Sequence, residues 1–344
     1  MHARDNLSKC IDTPIGGRVP QHYVHKANAS EVYLRSWSGE GGDRFRIAAE
    51  WPDTHPFYQV GSTLDPLLLS ETIRQTLPLL CHAAYGVPLG HQLIWERFSY
   101  QLLHLADTTA SHRRDVELQV QCYDISYRGS RPAALSMWTT VTWGGVPVAQ
   151  AKTRFAVMAK EVYQRLRGSY VDFPLAMSHA VPMPGPVLTH PGRFHRVWER
   201  DVLLTPSAAG SAQWLRVTTD HPIFFDHPMD HVPGMLLLEA AHQAAIGSRS
   251  TPNPAGTSAA GAEVTSLSYA FERYVELGPP CALFTRELPA DASGHQRLAV
   301  RAAQNDLVAL TAELTTTAPA SRATPSVDRA PCGAAGTSRG DALS

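Results

Sequence analysis

The sequence has few lysines, no cysteine-rich motif and no long apolar run. Only four lysines occur among its 30 basic residues, and a formal net charge of −1 gives no general attraction for nucleic acid or membranes. The five cysteines lack C-x-x-C spacing, which fits a reducing compartment and argues against a zinc ribbon or a disulfide framework. No stretch is long enough to span a bilayer, and the N-terminus lacks the apolar core of a signal peptide. These absences predict a cytoplasmic protein without membrane or nucleic-acid partners.

The length and composition allow two ordinary domains. The chain has 344 residues, of which 44% are hydrophobic and 18% are charged, as in globular proteins that bury a core. Proline-rich and low-complexity segments suggest the boundaries. We predict a flexible arm (1–22), an N-terminal domain (23–159), a proline-rich linker (160–192), a C-terminal domain (193–316) and a disordered tail (317–344).

The most distinctive stretch is 220–244, where three Asp-His dipeptides precede an almost wholly apolar helix. The dipeptides begin at Asp220, Asp226 and Asp230, and the helix follows Pro233-Gly234. A helix that is apolar on every side is buried in a protein core. Its three polar residues share a stripe and are costly unless they are hydrogen-bonded or functional; they are Glu239, His242 and Gln243.

Residues 55–75 are a partial copy of this stretch. The His-Pro dipeptides stand 166 positions apart and the helix glutamates 168 apart, and each glutamate is followed three residues later by a basic side chain. The chain therefore reads as two copies of one unit. The matched positions are His55-Pro56 with His221-Pro222, Leu67–Leu69 with Leu236–Leu238, Glu71 with Glu239, Arg74 with His242, and Gln75 with Gln243.

Strand-like patterns flank each of the two helices. Asp65 and Pro66 are suited to N-cap and first position of the first helix, which we expect to run to about Leu77, with a kink at Pro78. Alternating apolar residues predict strands in 24–37, 44–51, 91–105, 116–125, 134–143 and 146–158, and in 195–204, 213–219, 263–274, 282–288, 296–302 and 307–314. A sheet wrapped around one buried helix is a hotdog fold. The predicted class is α+β, a tandem double hotdog in which the two copies form a pseudo-dimer.

The sequence resembles the AfsA-type A-factor (γ-butyrolactone) biosynthesis proteins over roughly residues 22–315. The resemblance is carried by 220–240, by Val24-His25-Lys26 with 31–34, and by 65–71 with Arg74 and Gln75. It implies an acyltransferase that joins a β-ketoacyl thioester, on a carrier protein or coenzyme A, to dihydroxyacetone phosphate. The ester would close towards a butenolide phosphate, the precursor of a γ-butyrolactone or furan signal. It implies small-molecule substrates, an acyl-carrier protein as partner, and no cofactor.

More distantly, the same stretch is similar to the β-hydroxyacyl-carrier-protein dehydratases, whose catalytic His and Glu come from opposite units. Here the spacing from His227 to Glu239 is two residues shorter, and the Gly-His-Phe-Pro element reads Asp226-His227-Pro228. These departures speak against dehydration. Two alternatives remain open: a hotdog dehydratase or thioesterase acting on carrier-protein thioesters, and a non-catalytic acyl-binding module.

Ester formation needs a base, an oxyanion site and a group that binds the acceptor's phosphate. Burial should raise the pKa of Glu71 and Glu239, which would suit them to proton transfer. Backbone N–H groups at the two helix starts, 67–68 and 234–235, could hold the oxyanion, and Gly234 would allow close approach.

If the loop of one unit faces the helix of the other, two composite sites arise. The first joins the Asp-His loop to the first helix, and the second joins Gln59, Thr63 and Asp65 to the second helix. We expect the first to be active, because it holds more titratable groups, with Glu71 as the base and His227 or His231 as its partner. The predicted catalytic residues are Glu71, His227, Glu239, Asp226 and His231; the predicted substrate-binding residues are Arg74, Gln75, Asp230, Gly234, Gln243, Arg273 and Lys26. Gln75 would orient the acyl group. Arg74 is the first candidate for binding the phosphate, and Arg273 and Lys26 are weaker candidates.

Each of these assignments has a structural alternative. The two helix glutamates could be buried hydrogen-bonding partners, and the Asp-His loop a hydrogen-bonded turn. Arg74 could pair with a carboxylate. The loop residues also have metal-ligand side chains, although without a fixed spacing, and no metal is predicted. Cys81 and Cys281 could be nucleophiles, but buried free thiols explain them as well.

Overall fold

Twelve strands form one antiparallel sheet in the computed structural model, which describes residues 19–58, 64–103, 115–180, 189–206, 212–249 and 263–317. The strands of the first unit are β1 (Leu34–Gly41), β2 (Arg44–Glu50), β3 (Gln92–Leu102), β4 (Asp115–Arg128), β5 (Arg131–Trp143) and β6 (Val146–Met158). Those of the second are β7 (Leu204–Pro206), β8 (Ala212–Leu215), β9 (Val264–Phe271), β10 (Cys281–Leu288), β11 (Gln296–Gln304) and β12 (Leu307–Thr316).

The order of the strands is the same in both units when it is read outward from their seam. The full order is β1-β2-β4-β5-β6-β3-β9-β12-β11-β10-β8-β7. The units meet where β3 pairs with β9, with Arg97 opposite Ala270 and Tyr100 opposite Leu267. Each unit contributes one long helix to the core. The predicted α+β double hotdog is therefore confirmed, and its two sheets are continuous.

The central helices are α1 (Pro66–Leu79) and α4 (Gly234–Arg249). Their leucines are buried, and each buried leucine contributes about 1.5–3 kcal/mol to stability. As predicted, Pro66 opens α1 and Asp65 caps it, accepting hydrogen bonds from the N–H groups of Leu67 (2.8 Å) and Leu68 (3.4 Å). These two N–H groups are thus already bonded, so the expectation that they hold an oxyanion is wrong.

Helix α1 ends in a wider, π-helical turn just after Pro78. Pro78 has no N–H for the carbonyl of residue 74, and a π-helical turn follows at Leu80–Ala84. The Tyr85 N–H closes the turn on the Leu80 carbonyl at 3.0 Å. This turn places His82 beside His25, with their Nε2 atoms 2.8 Å apart.

The connection between the units is partly helical. It contains α2 (Lys160–Arg167), a 3-10 turn at Gly168–Val171, and α3 (Phe173–Ser178). The predicted linker at 160–192 included no helix, because that prediction was based on its prolines and not on the amphipathic residues before them. Helix α2 is fixed by two buried side chains, Tyr163 and Arg167.

The predicted terminal segments fall mostly outside the described residues. Within the arm, Val19 is buried, and its N–H bonds to the Leu34 carbonyl at 3.1 Å. Of the tail, only Thr317 is described. No helix of the described ranges is long and apolar enough to cross a membrane.

Candidate active site

Two stretches of irregular backbone, residues 24–33 and 194–203, precede the outer strands and lie against the central helices. The predicted strands 24–37 and 195–204 are wrong here, since β1 begins only at Leu34 and β7 at Leu204. His25 and His195, 170 positions apart, both have left-handed φ angles, of 52° and 57°. A left-handed residue cannot continue an extended strand, so both stretches bend at the same place.

A buried glutamine on each central helix holds these stretches by their backbone. Gln75 accepts from the Tyr33 N–H at 3.0 Å and donates to the Glu31 carbonyl at 2.7 Å. Gln243 makes the same two bonds to the backbone 170 positions further on, at 2.8 and 2.7 Å. The second N–H of Gln75 bonds to Glu71, so its amide keeps no unused donor for an acyl group.

Glu71 is the buried carboxylate at the centre of the first site. Arg74 donates to both of its oxygens at 2.8 Å, Gln75 donates at 2.9 Å, and Lys26 Nζ lies 3.8 Å from Oε1. Burial alone would raise the pKa of Glu71, but Arg74 and Lys26 outweigh it and hold this pKa below its ordinary value. The predicted rise in the pKa of Glu71 is therefore wrong, and its carboxylate is ionised.

Asp226 brings a second carboxylate to this site from the loop before α4. Its Oδ2 accepts from the Ala27 N–H at 3.1 Å and lies 3.3 Å from Lys26 Nζ, while Oδ1 is 2.5 Å from His227 Nδ1. Burial opposes ionisation, but the bond to His227 and the charge of Lys26 lower the pKa of Asp226. An ionised carboxylate only accepts, so Nδ1 of His227 donates, and in the neutral ring Nε2 is left as the acceptor.

Two imidazole rings, those of His25 and His82, pair with each other beside the first site. His82 Nδ1 donates to the Val87 carbonyl at 2.7 Å, so its Nε2 accepts from His25 Nε2. Burial lowers the pKa of His25 to about 3, and that of His82 in the same direction, so both rings are neutral. The neighbouring carbonyl of Val24 accepts from Arg74 Nη2 at 3.2 Å. Residues 24–27 thus form a wall of the site.

The other predicted Asp-His pair belongs to a separate cluster under α2. Asp230 Oδ1 bonds to His231 Nδ1 at 2.6 Å, and Oδ2 accepts from the Tyr163 hydroxyl (2.6 Å) and Arg167 Nε (2.9 Å). Arg167 also binds Glu276 through two bonds, at 2.6 and 2.7 Å. Among the described residues, no hydrogen bond or ion pair joins this cluster to the first site. The structure therefore brings Asp226 and His227 to the first helix, but not Asp230 and His231.

The second site is built around Glu239 on α4. Arg196 donates to both Glu239 oxygens, at 2.9 and 2.8 Å, and to Asp65 Oδ2 at 3.1 Å. The Tyr100 hydroxyl bonds to His242 Nε2 at 3.2 Å, while His242 Nδ1 is 4.0 Å from Glu239. Burial raises the pKa of Glu239 above its ordinary value, as predicted, despite the charge of Arg196. Burial also lowers the pKa of His242 to about 4.

Solvent access distinguishes the two sites. Every charged side chain of the second site is at most 5% exposed. In the first site, the side chain of Arg74 is 20% exposed and that of His227 is 41% exposed. Two side chains of the first site thus reach solvent, whereas the charged groups of the second form a buried ion-pair network. Gln59 and Thr63, which were predicted for the second site, lie outside the described residues.

Two further residues that were predicted to bind substrate, Gly234 and Arg273, make no hydrogen bond or ion pair with the charged groups of the first site among the described residues. A Cβ at Gly234 would lie 3.3 Å from the ring of Trp95 and 3.6 Å from that of Phe271, so a larger residue here would crowd the two rings at the seam. Arg273 is exposed, and its side chain makes no ion pair or hydrogen bond with any residue that the structure describes.

Sequence reasoning missed Arg196 and His82. Arg196 had a signal, because the repeat extends upstream and aligns Lys26 with Arg196 at an offset of 170. His82 had none, since only the π-helical turn after Pro78 brings it to the site.

The thiols and possible metal ligands add no chemistry to the described sites. Cys81 and Cys281 are buried, and burial raises the pKa of each thiol, that of Cys281 to about 12. Such thiols are poor nucleophiles. Within the ranges described above, no group of three or more His, Cys, Asp or Glu residues is arranged to hold a metal ion.

Comparison with known proteins gives matches over both units. The family model of the A-factor biosynthesis hotdog domain, AfsA, matches residues 11–159 and again 183–320. A relative from Streptomyces virginiae named 2-oxo-3-(phosphooxy)propyl 3-oxoalkanoate synthase is 37% identical over 290 residues, covering 84% of this chain and 94% of its own. A relative of the same name from Streptomyces coelicolor is 35% identical over 282 residues, covering 80% of this chain and 84% of its own. The solved structure of an acyl-ACP thioesterase from Bacteroides thetaiotaomicron is 12% identical, with a TM-score of 0.46, and the match covers 81% of this chain and 100% of that one.

Proposed function

This chain belongs to the AfsA family of A-factor biosynthesis hotdog proteins, and we propose on this basis that it transfers a 3-oxoacyl group from a thioester to dihydroxyacetone phosphate. The name of its relatives describes an ester between a 3-oxoalkanoic acid and a phosphorylated hydroxyketone. The chain is thus an acyltransferase. Its product would close by intramolecular condensation towards a butenolide phosphate, on the way to a γ-butyrolactone or furan signal.

The reaction exchanges a C–S bond for a C–O bond and is redox-neutral. The acceptor hydroxyl gives its proton to His227 Nε2, and its oxygen attacks the carbonyl carbon of the thioester. The tetrahedral intermediate then collapses, the C–S bond breaks, and His227 returns the proton to the departing sulfur. The N–H groups at the start of α4, residues 234–235, have no acceptor within the helix and would stabilise the oxyanion.

The observation that carries this proposal is the pair of a buried Asp226 and a partly exposed His227 beside Lys26 and Glu71. Asp226 holds Nδ1 of His227 in the way that the aspartate of a catalytic triad orients its histidine. Glu71 is less suited to be the base, because its oxygens are bonded to Arg74 and Gln75 and its pKa is lowered. We therefore assign the base to His227 and give Glu71 the role of positioning Arg74.

The composite nature of the site makes the two units an intramolecular pseudo-dimer in function. His227 comes from the second unit, whereas Lys26 and Glu71 come from the first, so neither unit contains the whole site. The buried site at Glu239 and Gln243 has a structural role in this scheme. The donor thioester would be carried by an acyl-carrier protein or by coenzyme A, with an acyl-carrier protein as the expected partner.

Turnover with a 3-oxoacyl thioester, in the presence and absence of dihydroxyacetone phosphate, tests this function. Mass spectrometry should detect the phosphorylated ester only when the acceptor is present. The His227→Gln variant should lower kcat/KM by about 10²–10⁴-fold, which is the usual contribution of a general base. Parallel assays with carrier-protein and coenzyme A thioesters compare the two donors.

A matched control is His295→Gln in the turn between β10 and β11. His295 Nδ1 lies 3.2 Å from Asp291, and its side chain is 40% exposed, so it resembles His227 in exposure and partner. This variant should keep the wild-type rate. Thiol release that ignores the acceptor would indicate a thioesterase and contradict acyl transfer, and wild-type protein without any turnover would indicate a binding module.

A further inference from the structure

Lys26 is a largely buried lysine whose ammonium group is held by two ion pairs rather than by short hydrogen bonds to the described residues. Its side chain is 5% exposed, and Nζ makes no hydrogen bond to any residue in the described ranges. The nearest carboxylate oxygens, on Asp226 and Glu71, are 3.3 and 3.8 Å away, whereas charge-assisted bonds are about 2.7–2.9 Å long. Buried charged groups are normally hydrogen-bonded. Because its two ion-pair contacts are longer than a charge-assisted bond, the ammonium group can still donate to a ligand.

In the second site, the residue at the position equivalent to Lys26 is hydrogen-bonded to carboxylates. Arg196, which aligns with Lys26, donates twice to Glu239 and once to Asp65. In the first site the corresponding double bond to the helix glutamate comes from Arg74 instead. Because Arg74 already neutralises Glu71, Lys26 is left with a loose contact to Asp226.

The available groups of the first site are cationic donors. Arg74 uses Nε and Nη2 for Glu71 and Val24, and its Nη1 makes no hydrogen bond to a described residue. An ammonium and a guanidinium that can only donate match an anion with several acceptor oxygens, such as a phosphate monoester. Both carboxylates already have partners, since Glu71 is paired with Arg74 and Asp226 is bonded to the Ala27 N–H and His227. A phosphate on Lys26 would therefore share the ammonium group with Asp226.

We propose that Lys26, assisted by Arg74 Nη1, binds the phosphate group of the acceptor. This inference rests on the proposed acyl transfer and specifies which residue selects the acceptor. Asp226 contacts both Lys26 Nζ and His227 Nδ1, so a phosphate on Lys26 holds the acceptor next to the base. Lys26 thus takes the role that the sequence analysis gave first to Arg74.

The ratio of kcat/KM for dihydroxyacetone phosphate to that for dihydroxyacetone measures recognition of the phosphate. A charge-assisted contact contributes enough to change this ratio about 10- to 100-fold, and Lys26→Met should lose that factor. Calorimetric binding of the two acceptors without thioester should show the same loss. Lys152→Met is the matched control, since it removes a lysine whose Nζ lies 4.9 Å over the Trp138 ring, and its ratio should equal that of the wild type.

Several results would overturn the inference. They are an unchanged ratio in Lys26→Met, an equal loss for both acceptors, and wild-type protein that does not distinguish them in binding. If Lys26→Met fails to fold because Asp226 has lost its cation, Lys26→Met/Asp226→Asn removes both charges, and its calorimetric preference should be lost as well. Wild-type protein that binds dihydroxyacetone phosphate preferentially but transfers no acyl group would contradict the proposed function and support the phosphate site.

Discussion

The substitution Arg196→Met tests whether the second site is a structural ion-pair network. It removes hydrogen bonds of 2.9, 2.8 and 3.1 Å and takes the cation from Glu239, whose side chain is 2% exposed. Removing one partner of a buried ion pair costs about 3–5 kcal/mol. In a chain of this size each kcal/mol shifts Tm by about 2 °C, so Tm should fall by about 6–10 °C.

The loss of stability should depend on pH. Burial already raises the pKa of Glu239, and without Arg196 it should rise further. A group whose pKa is raised on folding adds stability below its unfolded pKa and loses it as the pH rises through the folded pKa. The Tm difference between variant and wild type should therefore be largest at neutral pH and shrink as the pH falls towards 4.5, the ordinary value.

Thermal unfolding followed by circular dichroism, together with turnover at 20 °C, checks this prediction. Turnover per folded molecule should stay within about threefold of the wild type, because Arg196 stabilises the fold and does not meet substrate. Arg200→Met is the control: Arg200 is 50% exposed and 3.9 Å from Asp201, so its Tm should be almost unchanged. Lost turnover with an unchanged Tm in Arg196→Met would refute the structural reading of the second site.

Two further substitutions separate the groups around the first site. Glu71→Gln should lower the rate of acyl transfer about 10- to 100-fold by releasing Arg74. Because folding lowers the pKa of Glu71, this variant should be less stable than the wild type above about pH 4.5. The difference in Tm should disappear as the pH falls below that value, and Tm measured against pH checks this. His231→Gln should keep the rate of acyl transfer within about threefold of the wild type, since this ring bonds to Asp230 in the cluster under α2. A loss as large as that of His227→Gln would place His231 in the active site.

Local signals predicted the central helices and most of the strands, because these depend on neighbouring residues. Asp65 and Pro66 start α1 as expected, and the alternating residues of β4 to β6 form strands. Partners distant in sequence were harder to predict. The two dipeptides Asp226-His227 and Asp230-His231 look alike in sequence, yet one meets Lys26 and the other meets Arg167 on α2. Only the packing of a helix that the sequence analysis did not predict separates them.

The position of one arginine explains why a duplicated unit has one open site and one closed site. A guanidinium can bind both oxygens of the helix glutamate either from the helix, as Arg74 does, or from the preceding stretch, as Arg196 does. In the second case all three guanidinium nitrogens donate, and the charged side chains of the site are at most 5% exposed. In the first case the stretch keeps Lys26, whose ammonium group has only longer ion-pair contacts to Asp226 and Glu71 among the described residues, at 3.3 and 3.8 Å. A buried ammonium with long contacts is less stabilising than a fully bonded guanidinium, and functional sites are where such costs are tolerated. The closed copy can carry the stability that the open copy lacks, which agrees with the proposed assignment of ligand binding to the open copy alone.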